Sequence, residues 1–122
     1  MVHVLVADDE DAVRSVIVGA LRRAGYDVAE ARNGREAVEH FKAASADIVL
    51  MDLLMPIKDG IEALMEIRRV APTAKIIAMS GGGRIAASDY LVWAQAIGVN
   101  RTLEKPFSLT DLIAVIEELA HT

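Results

Sequence analysis

Five side chains capable of chemistry sit where apolar runs of this sequence stop: Asp8 and Asp9 after 3–7, Asp52 after 48–51, Ser80 after 75–79 and Lys105 after 101–104. The stretch DIVLMDLLMP, 47–56, sets Asp52 in otherwise apolar surroundings. A buried carboxylate is costly unless a cation or hydrogen bonds compensate it. Three carboxylates brought together repel one another, and a divalent cation resolves that repulsion. Oxygen-only donors favour Mg²⁺ over zinc, and Lys105 adds a further positive charge. Such a site neutralises anions while keeping one carboxylate as a nucleophile. Phosphoryl transfer needs this combination: an in-line nucleophile, a metal on the phosphoryl oxygens and a cation for the developing charge.

For these residues to meet, the elements that carry them must end on one edge. The runs 3–7, 27–31, 48–51, 75–79 and 101–104 read as strands, with helical patterns between them. In the first helix Val13, Ile17, Ala20, Leu21 and Ala24 recur at three- and four-residue steps, and Gly25 is a stop. NGREAVEHFKA carries Ala37, Val38 and Phe41. Its Asn33-Gly34 pair suits a hairpin turn, but the period that follows is helical, so Asn33 is read as a cap. DGIEALMEIRRVAP presents Ile61, Leu64, Ile67 or Arg68, and Ala71, with Pro72 as the stop. RIAASDYLVWAQAIG presents Leu91, Ala94 and Ile97 and ends at Gly98. SLTDLIAVIEELA opens with Ser108 and Asp111 in capping-box spacing.

Five strands alternating with five helices predict an α/β fold, a parallel sheet covered on both faces. Strands 1, 3 and 4 lack apolar–polar alternation and read as central. YDVAEA alternates and belongs nearer an edge. Parallel strand ends share one rim, where open α/β sheets place their ligands. Asp8, Asp9, Asp52, Ser80 and Lys105 are therefore expected to converge there.

With these motifs in place, the sequence resembles the receiver domain of two-component response regulators over essentially its whole length. The resemblance rests on ADDE after strand 1, LMDLLMP around strand 3, MSG after strand 4 and EKPF after strand 5. It implies a flavodoxin-like, doubly wound sheet of order 2-1-3-4-5 and one receiver domain over 1–122. It also implies that Asp52 is the phosphoacceptor. Asp8, Asp9, Asp52 and the backbone carbonyl of Leu54 would hold Mg²⁺, Ser80 would bond the phosphoryl group and Lys105 would pair with it. The Lys105–Pro106 peptide would be cis. The implied partners are a histidine kinase or phosphotransfer protein and a downstream protein target reached through the helix 4–strand 5–helix 5 face. The implied setting is a bacterial cytoplasm, as a monomer or weak phosphorylation-dependent dimer. Such a domain is no enzyme beyond its own phosphorylation and dephosphorylation. Two departures stand out. Thr102 occupies the position, three before the lysine, where the family often carries an aromatic ring. The segment between Ser80 and Lys105 is somewhat long and opens with GGGR, which suggests a mobile loop.

Composition bounds the alternatives. A chain of 122 residues, 53% hydrophobic, suits a single domain with a mostly aliphatic core, since aromatics make up 4%. A net charge of −5 argues against a nucleic-acid surface. The absence of cysteine removes disulfides and thiolate metal sites. MVHVLVADDE lacks the basic start of a signal peptide, and no apolar run reaches a membrane span. The acidic DDED could simply open a helix, Ser80 could cap one, and Lys105 could be a surface lysine. His3, His40 and His121 are scattered and read as surface or structural residues, while Trp93 suits either core or partner surface. An aspartyl-nucleophile phosphatase is a rival function, but the position two after the nucleophile is Leu54 rather than an acid. A flavin module would have to bring a phosphate against Asp8 and Asp9. A receiver excised from a hybrid kinase or transcription regulator would carry the same motifs.

Overall fold

Strand and helix alternate along the computed structural model, which describes residues 1–53, 60–81, 92 and 95–121. The elements are β1 His3–Ala7, α1 Asp11–Arg23, β2 Asp27–Ala31, α2 Gly34–Ala43, β3 Ile48–Asp52, α3 Gly60–Val70, β4 Lys75–Gly81, β5 Arg101–Lys105 and a C-terminal helix, Leu109–Ala120. All neighbouring strands pair in parallel, in the order β2-β1-β3-β4-β5. β1, β3 and β4 are thus interior, and the alternating β2 lies at an edge, as its pattern indicates. The helix read over 84–98 falls largely outside the described residues. Its end is visible: residues 95–97 are helical, and Gly98 follows at φ +90°.

The two-residue period of a strand explains how continuous apolar runs serve two cores. On one face Leu5, Val49, Met51, Ile76 and Ala78 pack with Phe41 of α2 and Leu64 and Ile67 of α3. On the other, Val4, Val6, Leu50, Ile77 and Met79 pack with Leu21 of α1 and Ile116 of the C-terminal helix. β3 is buried at every position. Local chemistry sets the helix ends. Asn33 Oδ1 accepts from Glu36 N at 2.8 Å and Ser108 Oγ from Asp111 N at 3.0 Å. Gly25 takes φ +96° just past α1, where a side chain would be strained.

In α3 the buried stripe runs through Ile61, Leu64 and Ile67. Arg68 instead spans the loop ends, donating to the carbonyls of Pro72, Ala74 and Gly98. In α1 the buried stripe is Arg14, Ile17, Val18 and Leu21. It is turned slightly from the expected face, so that Arg14 enters the interior and Val13 is only partly covered.

Candidate functional site

The ladder carries three of the expected residues further into the sheet than the apolar runs suggest. Asp52 is the last residue of β3. β4 continues through Ser80 to Gly81, and β5 continues to Lys105. Pairing explains the extension, because Ser80 lies beside Glu104 and Gly81 beside Lys105. Asp8 comes one residue after β1, its N–H donating to the Ala31 carbonyl at 3.1 Å. Strand ends therefore hold Asp52, Ser80 and Lys105, with Asp8 directly after one, and rigid elements fix geometry better than loops.

The side chains meet at this rim. Carboxylate oxygens of Asp8, Asp9 and Asp52 lie within 4.8 Å of one another. Asp8 is 0% exposed and Asp52 5%, while Asp9 faces solvent. Lys105 Nζ donates to Asp8 Oδ2 at 2.7 Å and to Asp52 Oδ2 at 3.0 Å, with Glu10 Oε1 at 3.8 Å. Burial pulls the Lys105 ammonium toward its neutral form. The hydrogen bond to Asp8 and the charges of Asp52 and Asp8 outweigh that, so its pKa lies above the ordinary lysine value. Even so, among the described residues three carboxylates share one close ammonium. Two unit charges about 5 Å apart repel by roughly 3 kcal/mol at an effective dielectric of about 20. Such repulsion favours a cation at the cluster. Its all-oxygen, all-anionic donor set fits a hard divalent ion such as Mg²⁺. The fourth expected donor, the Leu54 carbonyl, lies outside the described residues, as do Gly82, Gly83 and Trp93.

Ser80 is 4% exposed, and its Oγ has no hydrogen-bond partner among the described residues. A buried hydroxyl left unsatisfied costs about 1–3 kcal/mol, so such groups are few and call for a cause. An acceptor oxygen arriving at this rim would supply the missing bond. The Lys105–Pro106 peptide is cis, as the resemblance implies.

Two glycines have parts in the site that spacing alone does not reveal. A Cβ on Gly81 would lie 2.5 Å from Lys105 Cβ, so only glycine lets β5 bring Lys105 this close. A Cβ on Gly60 would lie 2.0 Å from the Asp52 carbonyl oxygen, so α3 begins directly against the backbone of the central carboxylate. Arg14 was also missed. It donates to the Asp8 carbonyl at 2.7 Å, to Asp11 Oδ1 at 2.6 Å and to Glu30 Oε1 at 3.2 Å. Its trace in the sequence is a charged residue at the first position of the stripe 14, 17, 18, 21.

The response regulator receiver domain description matches residues 4–117. Over 119 residues the chain is 38% identical to the chemotaxis protein CheY of Thermotoga maritima, covering 97% of each. It is 33% identical to the response regulator receiver protein CpdR of Brucella abortus, covering 98% of this chain and 97% of that one. It is 41% identical to the transcriptional regulatory protein PdtaR of Mycobacterium tuberculosis, but there it spans 55% of the relative. Among solved structures, the receiver domain of NtrX from Brucella abortus is similar with a TM-score of 0.89 at 28% identity, covering 98% of each chain. A match of this extent, on a rim where buried acids share a lysine, identifies a phosphoacceptor signalling module rather than a turnover enzyme. The chain belongs to the response regulator receiver domain family of two-component signal transduction.

Proposed function

We propose that Asp52 accepts a phosphoryl group from a phosphohistidine on a histidine kinase or phosphotransfer protein. A carboxylate oxygen of Asp52 attacks phosphorus, the P–N bond to the donor imidazole breaks, and the freed imidazole nitrogen takes a proton. The products are an aspartyl phosphate and neutral histidine. The observation that carries this reading is the pairing of Asp52 with Lys105 at 3.0 Å beside a buried, unsatisfied Ser80 hydroxyl on the neighbouring strand. Lys105 supplies fixed positive charge to the transferred group, and the Ser80 hydroxyl donates to one of its oxygens. Asp8, Asp9 and Asp52, joined by the Leu54 carbonyl, would hold Mg²⁺, which neutralises phosphoryl oxygens when bound. A groove of about 690 Å³ between α1 and the turn after β5 opens beside Lys105 and Gly81. Lined by apolar residues such as Val13, Val16 and Phe107, it gives a donor protein an approach to the rim.

The output follows from Ser80, next to last in β4, and Lys105, last in β5. A phosphoryl oxygen that engages Ser80 draws β4's end with it and shifts the population of the helix 4–strand 5–helix 5 face that the resemblance implies. Thr102, half-buried on β5, leaves no ring to rotate, so the backbone after Ser80 carries the change. Intact-mass analysis after incubation with a small acyl phosphate and Mg²⁺ tests the assignment. Wild type gains one phosphoryl group and Asp52→Asn gains none. Equal incorporation in both would overturn it.

A further inference from the structure

Arg14 is the one arginine with a buried side chain among the described residues, and two of its three side-chain bonds fall on residues 8–11, the segment that carries the acid pair, while the third reaches β2. It comes one turn into α1, where its own N–H donates to the Glu10 carbonyl at 2.9 Å. Its guanidinium is a rigid fork with donors in fixed directions. Nη2 holds Asp11 in the first turn of α1, Nε holds Glu30 on β2, and Nη1 holds the carbonyl of Asp8. That last bond has a geometric consequence. The Asp8 carbonyl and the Asp9 N–H share one planar peptide unit. Fixing the carbonyl therefore fixes the plane from which Asp9 projects.

Asp9 depends on that plane. Its neighbours are held by their own contacts: Asp8 by Lys105 and the Glu10 N–H, Asp52 by Lys105 and the β3 ladder. Asp9 faces solvent, and its carboxylate makes no hydrogen bond or ion pair recorded among the described residues. Backbone geometry is what holds its carboxylate within 4.8 Å of the other two.

We propose that Arg14 is a positioning residue for the cation site, fixing the Asp8–Asp9 peptide so that the Asp9 carboxylate is pre-aimed at Asp8 and Asp52. This rests on the proposed Mg²⁺ site and extends it to a residue that would not touch the ion. The sign of the effect separates it from simpler roles. Arg14 is a cation near a cation site, so charge alone makes its removal tighten Mg²⁺ binding. Freed Asp11 and Glu30 charges would add to that. A role confined to joining α1 to β2 changes stability but leaves the affinity of the folded protein unaltered. Positioning gives the opposite result: removal weakens binding. Loss of a residue that orients a metal ligand lowers metal affinity by about 10–100-fold.

The test is a Mg²⁺ titration followed by backbone amide shifts of Asp9 and Glu10, with urea denaturation of each protein run alongside. Three variants are compared with wild type. Arg14→Met removes charge and fork, Arg14→Lys keeps the charge but not the fork, and Glu30→Gln breaks the bridge to β2 while leaving the Asp8 bond. The expected result is roughly 10-fold weaker binding in both Arg14 variants and a change of less than about twofold in Glu30→Gln. Unchanged or tighter binding in the Arg14 variants overturns the proposal, as does equal weakening in Glu30→Gln. If Arg14→Met does not fold, Arg14→Lys decides alone by the same criterion. A wild type that binds no Mg²⁺ refutes the cation site and this inference with it, whereas wild-type binding that the Arg14 variants retain refutes only the inference.

Discussion

Replacing Lys105 with methionine removes the ammonium while keeping a chain of similar length against Gly81. Its Nζ lies 2.7 Å from Asp8 and 3.0 Å from Asp52. At an effective dielectric of about 20 those two attractions sum to roughly 12 kcal/mol gross. Desolvating three ionised groups consumes most of that, so the net loss is set by the two acids left behind. Removing one partner of a buried pair typically costs about 3–5 kcal/mol. The Lys105 side chain retains 18% exposure, which admits some solvent screening, so the lower end of that range, about 3 kcal/mol, is expected. With a urea m-value of about 1.5 kcal/mol/M, the midpoint falls by about 2 M in the presence of a chelator. Mg²⁺ should then restore more stability to the variant than to wild type, because it replaces the lost positive charge. The pH dependence follows from the raised lysine pKa. The contribution is complete below the ordinary lysine value of 10.5 and is lost as pH rises through the higher folded value. The gap between wild type and variant should therefore stay level from about pH 7 to 9 and close only in strong alkali. Urea melts at several pH values, with chelator and with Mg²⁺, measure all of this. A Lys105→Met protein as stable as wild type in chelator would refute the reasoning.

Further outcomes follow from the same geometry. Gly81→Ala should push Lys105 away, costing about 1–3 kcal/mol by overpacking and slowing Asp52 labelling by a small acyl phosphate; labelling at the wild-type rate would show that Lys105 does not need its observed place. Ser80→Ala should still accept phosphate but lose the long-range response, whereas Thr102→Ala should keep most of it. Amide shifts with beryllofluoride as phosphoryl mimic distinguish them, and a response abolished by Thr102→Ala would contradict the proposed route. Asn33→Ala should lower stability by about 1 kcal/mol through loss of the α2 cap, with no effect on Mg²⁺ affinity.

Much of this architecture was legible because local and global signals agree. Unbroken apolar runs marked β1, β3 and β4 as interior strands, alternation marked β2 as an edge, and Asn33 and Ser108 cap the helices they were expected to cap. The acid pair, Asp52, Ser80 and Lys105 were legible because parallel strands bring their ends to one rim. The strand ends themselves read one or two residues short. Hydropathy falls at a charged or polar residue, yet the backbone ladder continues through Asp52, Gly81 and Lys105. Gly81 read as loop chemistry, but its role is the approach of β5. Arg14 was passed over because its meaning lies in partners on other segments, Glu30 sixteen residues away and the Asp8 carbonyl six away. No period in a single helix reports such bonds.

The central claim is that the phosphoryl group is carried by the side chain of Asp52, and reductive trapping tests it most directly. Borohydride cleaves an acyl phosphate and leaves an alcohol at the carboxylate that bore it, so peptide mass mapping reads the site by residue. After labelling with a small acyl phosphate and Mg²⁺, reduction at Asp52 and at no other acid is expected, with Asp52→Asn giving no reduced residue. Reduction at Asp8 or Asp9, or phosphate held on His3, His40 or His121 and inert to borohydride, would contradict the account.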